Sequence, residues 1–290
     1  MTRPAIALSI AGSDPSGGAG IQADLKTFSA LGVYGAAVVT ALTAQNTRTV
    51  LAVHSISPHV VRSQLEAVLS DLPVDAIKLG MLDSAAIIHV VADALQAVPQ
   101  IPVVLDPVML SKSGAPLLAQ EAVEALRHRL LPRALVLTPN LPEAATLLGV
   151  SEAALDLSVS TRQPGPATDA ALLAICRRLH TLGPASVLLK GGHIDPQGQT
   201  SDDFFWDGKH PMRLVAPRIA TRNTHGTGCT YAAAIASGLA SGASVRSAII
   251  SARQYVQQAI VGAAQLHIGD GHGPLHHFAG LWPASTSQRI

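Results

Sequence analysis

The feature that most constrains this chain is a regular alternation of short apolar runs with longer helical patterns over nearly its whole length. Several runs are continuously apolar, as expected for strands that are covered on both faces of a sheet. The predicted strands are residues 5–10, 36–40, 50–56, 76–79, 103–105, 135–138 and 186–189, and the predicted helices are residues 20–31, 58–71, 84–98, 119–130, 142–148 and 169–182. Because the helical connections are too long for hairpin turns, these strands are predicted to be parallel with right-handed crossovers.

The last third of the chain departs from this alternation of strands and helices. Strands at 203–206 and 210–215 are joined by Asp207-Gly208, which predicts a hairpin, and two long helices follow at 228–241 and 245–267. Residues 156–168 are predicted to form a surface loop, and residues 283–290 a frayed tail. The expected fold is therefore α/β, with a mostly parallel central sheet, helices on both faces and a small β-hairpin, in a single domain over residues 1–290.

Composition excludes several classes of function. With 13% charged residues and a net charge of +1, the chain is unsuited to electrostatic binding of nucleic acid, and 3% aromatic residues are too few for base-stacking platforms. Two cysteines give no disulfide framework, which favours a reducing, cytoplasmic location. No apolar run reaches the ~18 residues of a membrane span. The low charge and high apolar content favour association, most simply as a homodimer.

Polar residues that follow the predicted strands should meet at one edge of the sheet, where doubly wound folds bind ligands. They are glycines, carboxylates, amides and a lysine, a set suited to phosphoryl transfer. The first such loop, residues 12–20, lacks the lysine of a Walker loop and the third glycine of a dinucleotide fingerprint. It is compatible with a tight turn or with a loop that lets a small substrate approach the backbone.

The most informative segment is NTHGTGC at residues 223–229, directly before a long helix. The amides of residues 226–229 would point out of the helix N-terminus, where partial positive charge binds anions, and Cys229 would occupy the first turn, where a thiolate is stabilised. The alternative is that Gly226 and Gly228 are ordinary capping residues and Cys229 is a small buried hydrophobe. Four histidines near the C-terminus match no metal-binding spacing, which disfavours a transition-metal site.

The segment GTGC after Asn-Thr resembles the anion-hole motif of the ribokinase-like superfamily, in which the last position is more often Asp. Together with further motifs in the same order, it resembles one branch, the hydroxymethylpyrimidine/phosphomethylpyrimidine kinases of thiamin biosynthesis. The resemblance spans roughly residues 5–280. The further motifs are AGSDPSGGAGIQADLKT at 11–27, TALTAQNT at 40–47, KLGML at 78–82, DPVM at 106–109, TPNLPEA at 138–144, KGGH at 190–193 and GHGPLHHF at 271–278.

The resemblance implies a role for each matched residue. Cys229 takes the position of the general base, beside the anion-binding segment Gly226, Thr227 and Gly228. The pyrimidine pocket would contain Gly12, Asp24, Gln45, Met81 and Val108. ATP and Mg²⁺ would be bound by Asp106, Asn140, Glu143 and Lys190, with Glu143 and Asp106 as the metal ligands. Taken singly, Asp24 also fits a helix-surface position, Glu143 a helix first turn and Asp106 a turn.

The resemblance implies a kinase that uses MgATP to phosphorylate the hydroxymethyl group of 4-amino-5-hydroxymethyl-2-methylpyrimidine, and then the monophosphate to the diphosphate. Two alternatives stay open. Pyridoxal/pyridoxine kinase has the same fold, and its substrate is also a six-membered heteroaromatic ring with a CH2OH arm. A pyrimidine-binding sensor without catalysis would be expected to have lost Gly226, Gly228, Cys229 or Glu143, and all four are present.

Overall fold

The computed structural model describes residues 3–109, 118–155, 165–192 and 198–282, and within them the backbone is organised around one nine-stranded sheet. The spatial order is β3-β2-β1-β4-β5-β6-β7-β8-β9, and the strands from β2 to β7 in that order run parallel. The predicted mostly parallel sheet is confirmed. The strands are β1 (Ile6–Ser13), β2 (Tyr34–Gln45), β3 (Val50–Ser55), β4 (Ala76–Leu79), β5 (Val103–Leu105), β6 (Val136–Leu137), β7 (Val187–Leu189), β8 (Asp203–Trp206) and β9 (Pro211–Leu214).

The hairpin of β8 and β9 is confirmed, but the prediction that β3 is parallel is wrong. Strands β2 and β3 pair antiparallel, with Ala41 opposite Ser55 and Gln45 opposite Val50. The physical reason is that β2 continues five residues beyond the predicted end at Thr40, which leaves only residues 46–49 to connect it with β3. So short a connection cannot make a crossover.

Helices cover both faces of the sheet and bury two separate apolar cores. Helices α2 to α6 pack on one face, against Leu8 and Ile77 among others, whereas α1, α7 and α8 pack on the opposite face and bury Phe28 completely. Among the described helices, none is long and apolar enough to cross a membrane. The helices are α1 (Gly20–Ala30), α2 (Pro58–Asp71), α3 (Ala85–Gln96), α4 (Gln120–Arg129), α5 (Leu141–Leu148), α6 (Pro166–His180), α7 (Thr227–Ala240) and α8 (Val245–Gly262).

Two predicted boundaries at the periphery need correction. The surface loop predicted at 156–168 ends earlier, because Pro166 opens α6 and Thr168 is already buried in its first turn. A proline is well suited to this position, since its fixed φ matches the helix and its missing N–H would have no partner there. The last long helix stops at Gly262 and is followed by a single 3-10 turn, Ala263–Gln265. Residues 156–164 of the loop and the tail 283–290 lie outside the described residues.

Candidate active site

A cavity of about 670 Å³ lies at the edge of the sheet where the parallel strands end. This is the edge at which doubly wound sheets bind ligands. The structure brings twelve of the predicted site residues to its wall: Gly12, Gln45, Met81, Asp106, Val108, Asn140, Glu143, Lys190, Gly226, Thr227, Gly228 and Cys229. The remaining one, Asp24, does not line the cavity.

One part of the wall is the N-terminus of α7. Gly226 is its N-cap and has a left-handed φ of 78°. A Cβ at this position would lie 1.8 Å from the carbonyl oxygen of Gly18, so only glycine permits both the backbone conformation and the close approach of the first glycine loop. The first amides of a helix have no acceptor within the helix and carry partial positive charge. This end of α7 therefore presents donors suited to an anion.

A lysine and two carboxylates lie directly below the first turn of α7. The Lys190 Nζ atom donates to Asp106 Oδ1 at 2.7 Å and lies 3.6 Å from Glu143 Oε2. The Thr138 hydroxyl donates to the same Asp106 oxygen at 3.2 Å. A Cβ on Gly228 would lie 3.2 Å from Lys190 Nζ and 3.4 Å from Asp106 Oδ2. An anion bound at the helix end would therefore also meet the Lys190 ammonium group.

The first turn of α5 holds Glu143 in place. Asn140 Oδ1 accepts from the Glu143 amide at 2.8 Å, and Glu143 Oε2 accepts from the Asn140 amide at 2.8 Å. This reciprocal pair is a capping box, so the first-turn interpretation of Glu143 holds alongside its place in the cavity wall. Burial raises the pKa of Glu143 to about 7 even though Lys190 opposes the shift. Burial alone would lower the pKa of Lys190, but Asp106 and Glu143 outweigh it and raise that pKa, which keeps Lys190 charged.

Cys229 lies in the first turn of α7, as predicted, but the prediction that its thiolate is stabilised there is wrong. Burial raises the pKa of its thiol to about 11 although the ammonium of Lys78 acts in the opposite direction. The carboxylates of Asp24 and Asp106 raise the pKa further. At neutral pH the Cys229 side chain is a neutral thiol.

The opposite part of the cavity has mostly apolar walls with one amide. A Cβ on Gly12 would lie 3.2 Å from the Met81 sulfur, so this glycine lets the backbone of β1 form part of the wall. Gln45 closes β2, and its amide group lies 3.3 Å from Thr43 Oγ1 and 3.2 Å from His225 Nε2. Apolar walls with a few polar groups are typical of pockets for small ring compounds.

Asp24 corrects one predicted contact. Its side chain is completely buried, and Oδ2 accepts from Ser9 Oγ at 2.6 Å and from Lys78 Nζ at 2.8 Å. Direct contact with a substrate ring is therefore excluded in this conformation. Lys78, which sequence reasoning did not assign to the site, is also completely buried, and Asp24 is the first of several anionic neighbours that raise its pKa despite burial.

Sequence reasoning also missed a hydrogen bond between the two glycine-bearing loops. His225 Nε2 lies 2.7 Å from Asp14 Oδ2, and both residues line the cavity. Both residues stand inside motifs of the sequence, at 11–27 and 223–229, but they are 211 positions apart and no local pattern connects them.

A third part of the cavity lies between β8 and α8. Arg253 pairs with Asp203 Oδ2 at 3.1 Å and donates to the Ser201 carbonyl at 2.6 Å, while Asp203 Oδ1 accepts from the Gly191 amide at 2.8 Å. In the sequence Arg253 is notable only as a charge that interrupts an apolar run. Apolar and polar side chains complete this part of the wall: Pro217, Ile219, Val256, Gln257 and Ile260.

The chain is similar to phosphomethylpyrimidine kinases in both sequence and structure. The sequence model described as phosphomethylpyrimidine kinase matches residues 14–276. A hydroxymethylpyrimidine/phosphomethylpyrimidine kinase of Rhizobium meliloti is 52% identical over 278 residues, covering 96% of this chain and 98% of that protein. A phosphomethylpyrimidine kinase structure from Clostridium difficile superimposes with a TM-score of 0.73 at 38% identity, covering 88% of this chain and 99% of its own.

A pyridoxal kinase from Staphylococcus aureus, solved with AMP-PCP and pyridoxal, superimposes with a TM-score of 0.81 at 34% identity, covering 96% of this chain and 95% of that one. The matches extend over nearly the whole chain and confirm the ribokinase-like fold expected from the motifs. The family match, the 52% identity and the arrangement of the cavity agree, and the chain belongs to the phosphomethylpyrimidine kinase family.

Proposed function

We propose that this protein transfers the terminal phosphoryl group of ATP to the hydroxymethyl group of 4-amino-5-hydroxymethyl-2-methylpyrimidine, and then phosphorylates the monophosphate to the diphosphate. The observation that carries the proposal is the continuity of one cavity from the Gln45 end to the N-terminus of α7. A small ring at the first end places its CH2OH arm towards the anion-binding end. Acceptor and transferring group thus meet where Lys190 lies.

Positioning and charge stabilisation carry most of the rate in this mechanism. Phosphoryl transfer passes through a loose transition state in most analyses, with negative charge spread over the equatorial oxygens. The amides of the first turn of α7 and the Lys190 ammonium are fixed before the reaction and point towards that charge. Such preorganised donors stabilise a transition state because they need no rearrangement when the charge develops.

The hydroxymethyl proton leaves to a phosphate oxygen or to water by the end of the transfer, because Cys229 is not in the thiolate form that could accept it. With a pKa of about 11, the Cys229 thiol is almost entirely protonated at neutral pH. In a loose transition state the acceptor oxygen needs little deprotonation before it attacks. We therefore assign Cys229 a supporting role, in which its backbone amide contributes to the anion site and its thiol fills the first turn.

The protein side chains at this site can supply only part of the coordination shell of Mg²⁺. Among the described residues, no group of three or more His, Cys, Asp or Glu could hold a metal ion by itself. Magnesium in kinases needs only one or two carboxylates, with phosphates and water completing its shell. Asp106 and Glu143 supply such oxygens, both next to Lys190, and are the residues that would hold the ion beside the nucleotide. There Mg²⁺ would offset the charge of the phosphates.

The test is the product mass after the purified protein is incubated with ATP and the pyrimidine, together with ADP release in a coupled assay. The proposal expects mass increases of one and then two phosphoryl groups. Gly228→Ala serves as the control for a contaminating kinase, because it changes the anion site and not the fold. Binding of the pyrimidine without ADP release would support the sensor alternative and refute the proposal.

Pyridoxal kinase activity is the second candidate, and the near-complete superposition on the pyridoxal-bound Staphylococcus aureus enzyme favours it. Measuring kcat/KM for each acceptor under the same conditions separates the two candidate activities. We expect the pyrimidine to have the higher kcat/KM. A higher kcat/KM for pyridoxal would make pyridoxal kinase the main activity. The homodimer and the cytoplasmic location stay predictions from the sequence.

A further inference from the structure

The imidazole ring of His225 lies where the two cavity loops meet. The residue precedes the N-cap of α7, and its side chain is buried. The Nε2 atom lies 2.7 Å from Asp14 Oδ2 and 3.2 Å from the Gln45 amide nitrogen. A Cβ on Gly18 would lie 2.4 Å from the ring Cδ2 atom, so the first loop is packed tightly against the ring. One ring nitrogen therefore faces two polar groups at the same time.

The neighbours of Asp14 determine which of these groups receives the proton. Its carboxylate accepts from the Ser16 amide at 2.9 Å, from the Ser16 hydroxyl at 2.7 Å and from the Ala19 amide at 2.8 Å. Burial would raise the pKa of Asp14, but the hydrogen bonds from His225 and Ser16 outweigh it and the pKa is lowered. An ionised carboxylate can only accept hydrogen bonds. His225 Nε2 must therefore carry a hydrogen and donate it to Asp14.

This proton assignment fixes the orientation of the Gln45 amide. A nitrogen that carries its hydrogen cannot accept from the amide NH2 group. Its one hydrogen is donated mainly to Asp14 at 2.7 Å and is shared more weakly with the Gln45 amide at 3.2 Å, so the amide oxygen is the group that can face His225 favourably. In this orientation the amide nitrogen takes the Oε1 position, which lies 3.3 Å from Thr43 Oγ1. That oxygen is able to accept, because the Thr43 hydroxyl donates to the Ser13 carbonyl at 2.9 Å. The second N–H of Gln45 remains for the cavity.

We propose that His225 is a positioning residue for acceptor recognition: anchored by Asp14, its Nε2–H orients the Gln45 amide so that Gln45 presents an N–H donor to an unprotonated ring nitrogen of the substrate. The inference rests on the proposed function, because it takes the Gln45 end of the cavity as the acceptor pocket. It adds a specificity determinant in the loop before the anion site. The Asp14–His225–Gln45 chain also joins the acceptor pocket to the N-terminus of α7.

The test is a double-mutant cycle with His225→Phe and Gln45→Ala, read as KM for the pyrimidine and KM for ATP. Each single variant should raise KM for the pyrimidine about three- to tenfold, the size expected for one hydrogen bond, and leave KM for ATP unchanged. If His225 acts through Gln45, the double variant should match Gln45→Ala alone. His225→Gln, which keeps an N–H near the position of Nε2, should restore KM to within about twofold of wild type.

A matched control is His128→Phe, since His128 lies on α4 with 76% of its side chain exposed. It should leave both KM values unchanged. If His225→Phe does not fold, His225→Asn takes its place in the cycle, because its shorter side chain has no atom at the Nε2 position. Effects that add in the double variant, or an unchanged KM in the single variant, would overturn the proposal.

The inference and the proposed function fail in different ways. Wild-type protein that does not phosphorylate the pyrimidine refutes the proposed function, and the cycle is then measured with pyridoxal as the acceptor. Wild-type protein that turns over the pyrimidine, with additive effects of His225→Phe and Gln45→Ala, refutes only the role of His225.

Discussion

Gly228→Ala tests whether the first turn of α7 and Lys190 bind the transferring phosphoryl group together. The added methyl carbon would lie 3.2 Å from Lys190 Nζ and 3.4 Å from Asp106 Oδ2. The approach to Lys190 Nζ is tighter than an ordinary van der Waals contact, whereas the approach to Asp106 Oδ2 is at the short end of the ordinary range. The end of the lysine side chain can move by a few tenths of an ångström. The fold should therefore tolerate the change, and the space between the helix end and the ammonium should be lost.

The expected size follows from the donors that the methyl group covers. An oxyanion-type donor removed from a preorganised site typically lowers kcat by ~10²–10³. Gly228 does not have a left-handed φ, and replacement of glycine by alanine in a helix is neutral or favourable by up to ~1 kcal/mol. Gly228→Ala should therefore lower kcat about a hundredfold or more, with a melting temperature equal to or slightly above that of wild type.

Gly226→Ala and Gly149→Ala provide the matched comparisons. At Gly226 the methyl carbon would lie 1.8 Å from the Gly18 oxygen, so the protein should lose stability before activity can be interpreted. At Gly149 the φ of 66° is left-handed but no atom lies within 4 Å, so the cost should be about 1–2 kcal/mol with normal kcat. Activity within threefold of wild type in Gly228→Ala, measured by ADP release at saturating substrates, would refute the assignment of the anion site.

Three further predictions concern Cys229, Glu143 and Asp24. Cys229→Ala should retain measurable turnover, and loss of all activity in this variant would restore Cys229 as the required base. In the wild-type protein, the rate of thiol alkylation should rise about tenfold per pH unit up to the pKa of about 11, and bound ATP and pyrimidine should protect the thiol. Because Glu143 has a pKa of about 7 and should act as a carboxylate, kcat/KM should fall about tenfold per pH unit below pH 7. A profile that is flat from pH 6 to 8 would contradict a need for ionised Glu143. Asp24→Ala leaves the Lys78 ammonium buried without its partner and should lower the free energy of unfolding by about 3–5 kcal/mol in denaturant titrations. A loss below 1 kcal/mol would show that Lys78 finds other compensation.

The sequence predicts elements well where an apolar face and a cap occur together. Helix α2 matches its prediction at both ends, and its N-terminus is well marked because Ser57 caps it and Pro58 opens it. Strand β2 shows the opposite case, since it is predicted to end at Thr40 and continues to Gln45. Beyond Thr40 the polar residues Thr43 and Gln45 line the cavity, so the apolar run is interrupted although the strand is not. A strand that serves a site therefore loses the pattern by which strands are recognised.

The candidate site is predictable only in part. Residues that directly follow strands share one sheet edge, so their proximity can be derived from topology without any distance. The buried pair of Lys78 and Asp24 cannot be found in this way. It depends on register, because Ser9 and Lys78 are direct neighbours on β1 and β4 and both reach Asp24 on α1. Nothing local distinguishes Lys78 from a solvated lysine, and nothing local distinguishes Asp24 from a helix-surface carboxylate. Because a buried charge is tolerated only with a partner, the identity of each residue is explained by the other, and that relation exists only in the folded protein.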